Sequence, residues 1–494
     1  MKKRNERMKK WIKRNKVFII IFLLALIIRM IFIIKYPLSK AQHDVNGENG
    51  HFSYIQTIFI QNRLPSTNQY QYYQPPLHHF ISAMWLKVFS KLIRSYTTLI
   101  ESLQFVPLIY SMLLLIVINK ILKELKIKDK YKNLILVIMA FHPTFTILSG
   151  SINNDMLSIL LIFCTLYELI KWYKKSDMVN TIILAIVTGL AVMAKTSGAI
   201  VSLPIMYIFL LQFYRAIKKG DKRKIWQYIG MYCVFGIISL SLGLWYPVRN
   251  YILFKQPILY ILDPNNQKLY VGDKSLLSRF VPFSKELLIQ YADPYEHYNI
   301  PTFLIKSSLF GEWTWTTSYI CKYIYVFALF ANIAIIVFSI VAIIREMTSN
   351  RKRDLIYRNI FLILYFFNII SFISMNIKLP YGCSMDFRYI VPTIFIGIYF
   401  IGLQLRKIQN EAKNKLIYRT LMQISIVLVV ASNFILLVSW VKGQKKNRPF
   451  FAPLPFYIFL KIFKSLYPLK LKSTTSLIKI EIIYPLNPSI GTRK

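Results

Sequence analysis

Acidic residues are scarce in this chain, and so is any long stretch free of apolar blocks. Against 63 lysines and arginines stand only 21 aspartates and glutamates, a formal net charge of +42. In a soluble chain that excess would suggest nucleic acid. Here there is no basic domain outside the apolar blocks to bind it, so nucleic acid is set aside as a partner. Cysteine is scarce too, at four. No two cysteines form a CxxC pair, so no cysteine-based metal site is present. Cys164 and Cys233 lie inside apolar runs and read as core residues. Cys321 and Cys383 fall toward one predicted face, where a link between them stays open. No internal repeat and no low-complexity linker is visible. No small-residue cleavage site follows the first apolar run, so the basic N-terminus reads as the start of an uncleaved helix rather than a signal peptide.

What is present is apolar sequence in long blocks. The chain is 55% hydrophobic and 15% aromatic, with a mean hydropathy of +0.43. Repeated apolar runs of roughly 18 or more residues mean membrane helices. They fall near 17–34, 104–122, 134–150, 156–173, 179–194, 198–214, 228–246, 323–344, 359–376, 389–405 and 420–440. The expected fold is therefore an all-α polytopic membrane protein of about eleven transmembrane helices. A basic cytoplasmic N-terminus spans 1–16 and a transmembrane domain 17–440. A basic tail over 441–494 is extracytoplasmic or interfacial.

The charge distribution orients this arrangement. The predicted inner segments 1–16, 120–132, 171–175, 215–224, 345–358 and 406–419 hold 34 of the 63 basic residues. Basic residues flank spans on the cytoplasmic side and meet anionic lipid there. The other face carries two long loops, 35–103 and 247–322, and eleven of the 21 acids. Long ordered loops on one face are where function usually sits. Within the first loop, Gly50 to Asn62 and Pro76 to Ser90 each predict an amphipathic helix at the interface. After Trp440, Pro455 to Leu469 predicts a further interfacial helix and Ile478 to Tyr484 a short strand.

Four constellations on that outer face could carry chemistry. The first is His43-Asp44, just past the first span, with Glu48 and His51 nearby. A carboxylate there can deprotonate an acceptor hydroxyl or amine; the bland alternative is a solvated loop acid. The second is the turn holding His142, Asn153, Asn154 and Asp155. Helix capping accounts for Asn154 or Asp155 but not for all four. The third is Lys195-Thr196-Ser197-Gly198 within an apolar stretch. An ionisable residue at membrane depth is costly and is a functional candidate by default. At the outer turn, Lys195 would hold a lipid phosphate, or else snorkel to the headgroups. The fourth pairs WYPVRNYILFKQP (Trp245 to Pro257), with Arg249 and Asn250, and MDFRYIVP (Met385 to Pro392), with Asp386 and Arg388. Arginine at the outer ends of spans runs against the charge bias. A guanidinium suits bidentate phosphate binding, with pairing to Asp386 as the structural alternative.

The order and side of these parts resemble the GT-C superfamily of membrane glycosyltransferases, which includes the protein O-mannosyltransferases and the aminoarabinose transferases that modify lipid A. The resembling features are HD at 43–44, a YxxPPLHH-like segment from Tyr73 to His79, HP…NND, AKTSG, WYPVRNYILFKQP and RYxxP at Arg388 to Pro392. The resemblance implies inverting transfer from a polyprenyl-phosphate sugar to a glycan, lipid or protein acceptor. By that resemblance Asp44 would be the base and Lys195, Arg249 and Arg388 phosphate-binding candidates; His43, Glu48, His142, Asn153, Asn154, Asp155, Asn250 and Asp386 are further substrate-binding candidates from the constellations themselves. Those families usually place two adjacent acids (Asp-Glu) in the first loop. Here the pair is His-Asp with Glu48 four residues on, so Glu48 stays a rival for the base. His43, His51, His78 and His79 offer imidazoles, but no spacing is diagnostic of a metal site; metal dependence stays open.

A rival of another class is a transporter or flippase for a lipid-linked intermediate. Transporters place charged groups and broken helices near mid-bilayer, often within repeated halves. Here the polar groups collect on one face and no repeat is seen, which favours the enzyme. A noncatalytic subunit of an envelope assembly is the third reading.

Overall fold

In lipid a backbone must satisfy its own hydrogen bonds, so apolar runs that cross a membrane without closing a barrel are helices. A computed structural model of the protein shows all eleven runs built from helix. It describes residues 2–38, 49–281, 287, 297–311, 315–316, 319–349, 355–407, 412–438 and 440–441. His43, Asp44 and Glu48 lie outside the described residues. So do nearly all of the tail after Trp440, including the expected interfacial helix and strand. Whether Cys321 and Cys383 are linked turns on the Cys321 side chain, which is also outside the described set.

The helices are α1 (Lys2–Lys35), α2 (His51–Gln61), α3 (Leu77–Phe89), α4 (Tyr96–Glu101), α5 (Phe105–Glu124), α6 (Asp129–Phe141), α7 (Pro143–Leu148), α8 (Asp155–Lys174) and α9 (Met178–Ala194). They continue as α10 (Ser202–Lys218), α11 (Lys222–Phe254), α12 (Leu276–Phe280), α13 (Ile300–Phe310), α14 (Tyr319–Met347), α15 (Leu355–Lys378), α16 (Pro392–Lys407) and α17 (Ala412–Val438). Eight described helical segments are long and apolar enough to cross a membrane, and a bent pair, Gly382–Ile390 with Pro392–Lys407 at 44°, makes up to nine. This is a multi-pass membrane protein. A two-residue antiparallel ladder pairs Trp315 with Val441 and Thr316 with Trp440.

Two runs differ from the expected simple spans. The run 134–150 breaks at His142, whose backbone is extended (φ −61°, ψ 131°), before Pro143 restarts a short helix. Proline lacks the N–H that would continue the ladder and biases the residue before it away from helical backbone. The run 228–246 continues for eight more residues, so Arg249 and Asn250 stand on the last turns of α11 rather than in a loop.

The first outer loop folds onto the bundle. Tyr54, Ile55 and Ile58 of α2 and Ala83 and Leu86 of α3 are buried together with Leu99, Leu103, Ile152 and Tyr246. Their spacings of three and four residues put them on one face of each helix. The far face of α3 leaves Phe80, Met84 and Val88 exposed, as an interfacial helix should. The end of α1 is fastened to the end of α17. Lys35 Nζ donates to the Leu437 carbonyl and the Tyr36 hydroxyl to the Leu436 carbonyl (2.8 Å), filling acceptors that a helix terminus leaves open. α9 packs along α11 where glycines allow it: a Cβ on Gly189 would lie 2.7 Å from Leu242 Cβ.

Candidate active site

The chain alternates direction, so α8 and α16 begin, and α9 and α11 finish, at the same end of the bundle. The turns rich in lysine and arginine lie at the other end. This topology brings Asp155, Lys195, Arg249 and Arg388, far apart in sequence, to one region.

Asp155 opens α8 and is buried. Lys195 ends α9 in extended backbone (φ −160°, ψ 135°), which turns its side chain out of the helix. Lys195 Nζ and Asp155 Oδ1 form an ion pair. Asp155 also lies within the fields of Arg388 and His51. The Lys195 ammonium sits 5.1 Å from the centre of the Tyr389 ring, and the Arg388 guanidinium 5.2 Å from the same ring. Asp386 Oδ1 accepts from the Arg388 backbone N–H (2.6 Å) and caps that turn.

The expected asparagines are structural partners of this centre. Asn153 Oδ1 accepts from the Asp155 backbone N–H (3.2 Å). Asn154 Nδ2 donates to Gln74 Oε1 (2.6 Å) and to the Ala194 carbonyl (2.9 Å), joining the start of α8 to the first outer loop and to the end of α9. His142 is buried and approaches the Arg388 turn from another side, its ring 6.4 Å from that of Phe387.

Arg249 is held locally. Its Nη1 donates to Asn250 Oδ1 (3.0 Å) and its Nη2 to the Pro65 carbonyl (2.9 Å). Asn250 Nδ2 reaches the Tyr73 carbonyl (3.4 Å). Thus Arg249 fixes the outer loop around Tyr73, while Lys195 and Arg388 share the Tyr389 ring.

Sequence reasoning assigned no residue-level role to the segment Tyr72–Gln74, although Tyr73 lies within the YxxPPLHH-like motif; in the fold Asn154 holds Gln74 and Asn250 the Tyr73 carbonyl. Beneath it runs a buried polar chain: the Tyr54 hydroxyl donates to that of Tyr246 (2.8 Å), which donates to the Tyr72 carbonyl (2.7 Å). His79 stacks on Tyr54 at 4.0 Å between ring centres and shares a hydrogen bond with His51 (Nε2 to Nδ1, 2.9 Å). His78 Nε2 donates to the Ile152 carbonyl (2.5 Å). Burial pushes the His78 imidazole down to about 4 and His79 well below its ordinary value, so both stay neutral near pH 7. Among the described residues no group of three or more His, Cys, Asp and Glu side chains is placed to hold a metal ion.

Residues 73–244 match the family model described as dolichyl-phosphate-mannose-protein mannosyltransferase. No curated protein matches the chain by sequence. Among solved structures, it is similar to the apo oligosaccharyltransferase of Archaeoglobus fulgidus, with 12% identity, 88% of this chain and 57% of that chain covered, and a TM-score of 0.49. It is also similar to ArnT from Cupriavidus metallidurans bound to undecaprenyl phosphate, with 12% identity, 86% and 76% covered, and a TM-score of 0.47. The chain thus spans little more than half the length of the oligosaccharyltransferase. The family match over 73–244 covers Tyr73 to His79, the His142 to Asp155 turn and Lys195, so over about a third of its length the chain is similar to a family of GT-C membrane glycosyltransferases.

Proposed function

We propose that the protein transfers a sugar from a polyprenyl-phosphate donor to a glycan, lipid or protein acceptor of the cell envelope, on the extracytoplasmic face and with inversion. The observation that carries this reading is the meeting of Lys195 and Arg388 at one ring, Tyr389, beside the buried carboxylate of Asp155. An ammonium and a guanidinium thus converge at a span end, where they could receive a lipid phosphate, with Asp155 and Asp386 as the buried acids beside them. The lipid-phosphate donor named in the matched family's description supports the same class.

In this reading Asp44 takes the proton from the acceptor hydroxyl or amine. The acceptor atom forms its bond to the anomeric carbon as the bond from that carbon to the phosphate oxygen breaks. The electron pair leaves with polyprenyl phosphate, and Lys195 and Arg388 stabilise the charge that develops there. Arg249, Asn250, Asn153, Asn154 and Asp386 hold the frame, with His142 packed at its edge and His43 and Glu48 flanking the base. In this reading the N-terminus is cytoplasmic, as the basic turns at the opposite end favour.

The test is product formation from a polyprenyl-phosphate sugar by membranes carrying wild type or Asp44→Asn at equal protein level. Loss on the order of 10²–10⁴-fold is expected for removal of a general base. Equal transfer by both would move the role to Glu48. No transfer by either, across several donors, would favour the transporter or subunit reading.

A further inference from the structure

We propose that Arg279 is a positioning residue for Arg388: from the second outer loop it holds the turn that presents the Arg388 guanidinium to a donor phosphate. This rests on the reading of the site just given and extends it to a residue outside the site. Arg279 stands on α12 and is 2% exposed. A buried guanidinium needs compensation for its charge. Among the described residues no carboxylate is paired with it; its Nη2 donates instead to the Asn376 carbonyl (2.8 Å). That oxygen is among the last four carbonyls of α15, which have no partner within the helix. The helix end also carries partial negative charge, which a cation there offsets. Arg279 therefore caps α15 where the chain leaves it for the Arg388 turn.

From this cap, hydrogen bonds reach the turn by two routes. On the first, the buried Asn376 donates through Nδ2 to the Ser384 carbonyl (3.1 Å), two residues before Asp386 caps the Arg388 N–H. On the second, Asn299 Nδ2 donates to the Ser278 carbonyl (3.2 Å) and the Val281 carbonyl (2.9 Å), on either side of Arg279. Asn299 Oδ1 accepts from the Thr302 N–H (3.0 Å) and starts α13, whose Ser307 Oγ accepts from the Phe387 backbone N–H (3.0 Å). The second outer loop also grips the chain between α15 and the turn. The Val271 N–H donates to the Pro380 carbonyl (2.8 Å), and Tyr270 bridges to Tyr381. Phe280, next to Arg279, packs against the buried cluster of Phe303, Met385 and Ile390. Ser384 and Phe387 thus bracket the approach to Arg388, and both are held through neighbours of α12. A guanidinium recognises phosphate by its planar fork as well as its charge, so the backbone that carries it has to be held.

The experiment measures binding of polyprenyl phosphate to the full-length protein in lipid nanodiscs, for wild type, Arg279→Met, Arg388→Gln and the double variant. Arg388→Gln removes the proposed phosphate contact and is expected to weaken binding. Arg279→Met is expected to weaken it roughly 10-fold, the lower end of what groups that orient a metal ligand are worth. In the Arg388→Gln background it is expected to add nothing, because no guanidinium is left there to place. An equal loss in both backgrounds would make Arg279 a support of the fold in general and overturn the positioning role while the proposed function stands. No loss in either background would overturn it too. Arg388→Gln binding like wild type, or wild type not binding at all, would overturn the phosphate role in the proposed function and the positioning role with it. Arg279→Lys keeps a cation at the helix end but not the fork. It is expected to show the same dependence on background with a smaller loss, and it decides the matter where Arg279→Met does not accumulate.

Discussion

Lys195 and Asp155 show what the residue scale adds. Each stands out alone in the sequence, one as a lysine in an apolar run and the other as an acid at a helix start. Their pairing across 40 residues is a product of the fold. The Asp155 side chain is 5% exposed and that of Lys195 16%, so removing one partner leaves the other buried and uncompensated. Such losses cost about 3–5 kcal/mol, whereas replacing both partners by neutral groups of similar size is often close to neutral. Lys195→Met and Asp155→Asn should each lower thermal stability in detergent strongly, and the double variant should recover much of the loss. Additive losses would show that the pair contributes nothing as a pair. If Lys195 also serves the donor phosphate, the recovered double variant stays inactive. Tyr73 marks the limit of sequence reading at this scale. It lies within a quoted motif, but only the folded chain shows its ring against Tyr260 and its carbonyl held by Asn250.

Elements were far more legible than contacts, because lipid leaves an apolar run little choice but to be helical. The amphipathic spacing of α2 and α3 was readable for the same reason. Less visible was the break at His142-Pro143, since the residues on both sides are apolar and periodicity passes through the break. Also unseen was how closely elements approach. Gly198 follows Lys195, and a Cβ there would lie 2.3 Å from the Ala191 carbonyl oxygen and 2.7 Å from its carbon. That neighbour is backbone of α9 and cannot swing aside. Gly198→Ala should therefore push the turn off α9, costing about 1–3 kcal/mol and displacing Lys195. Gly230 lies within α11 with nothing within 4 Å of its added Cβ, so Gly230→Ala should be neutral or slightly stabilising through helix propensity. Thermal unfolding of the two variants side by side checks this. Similar midpoints for both would remove the close approach as a constraint on the Lys195 turn.

At the scale of the whole molecule, charge and chemistry separate to opposite ends. Helices α5, α8, α10, α14 and α16 finish at one end, while Asp155, Lys195, Arg249 and Arg388 lie at the other. In the proposed function the positive-inside bias faces the site outward, toward a donor carried in the bilayer. The orientation is open to a direct measurement that does not depend on activity. Ser66 is exposed at the site end and Lys219 at the basic end. A membrane-impermeant thiol reagent applied to intact cells should label Ser66→Cys and reach Lys219→Cys only after the membrane is opened, with the four native cysteines replaced. The reverse pattern would put the site in the cytoplasm. It would then require the acceptor and donor sugar to be met there, and the cell-envelope acceptor would have to be abandoned even if transfer itself were demonstrated.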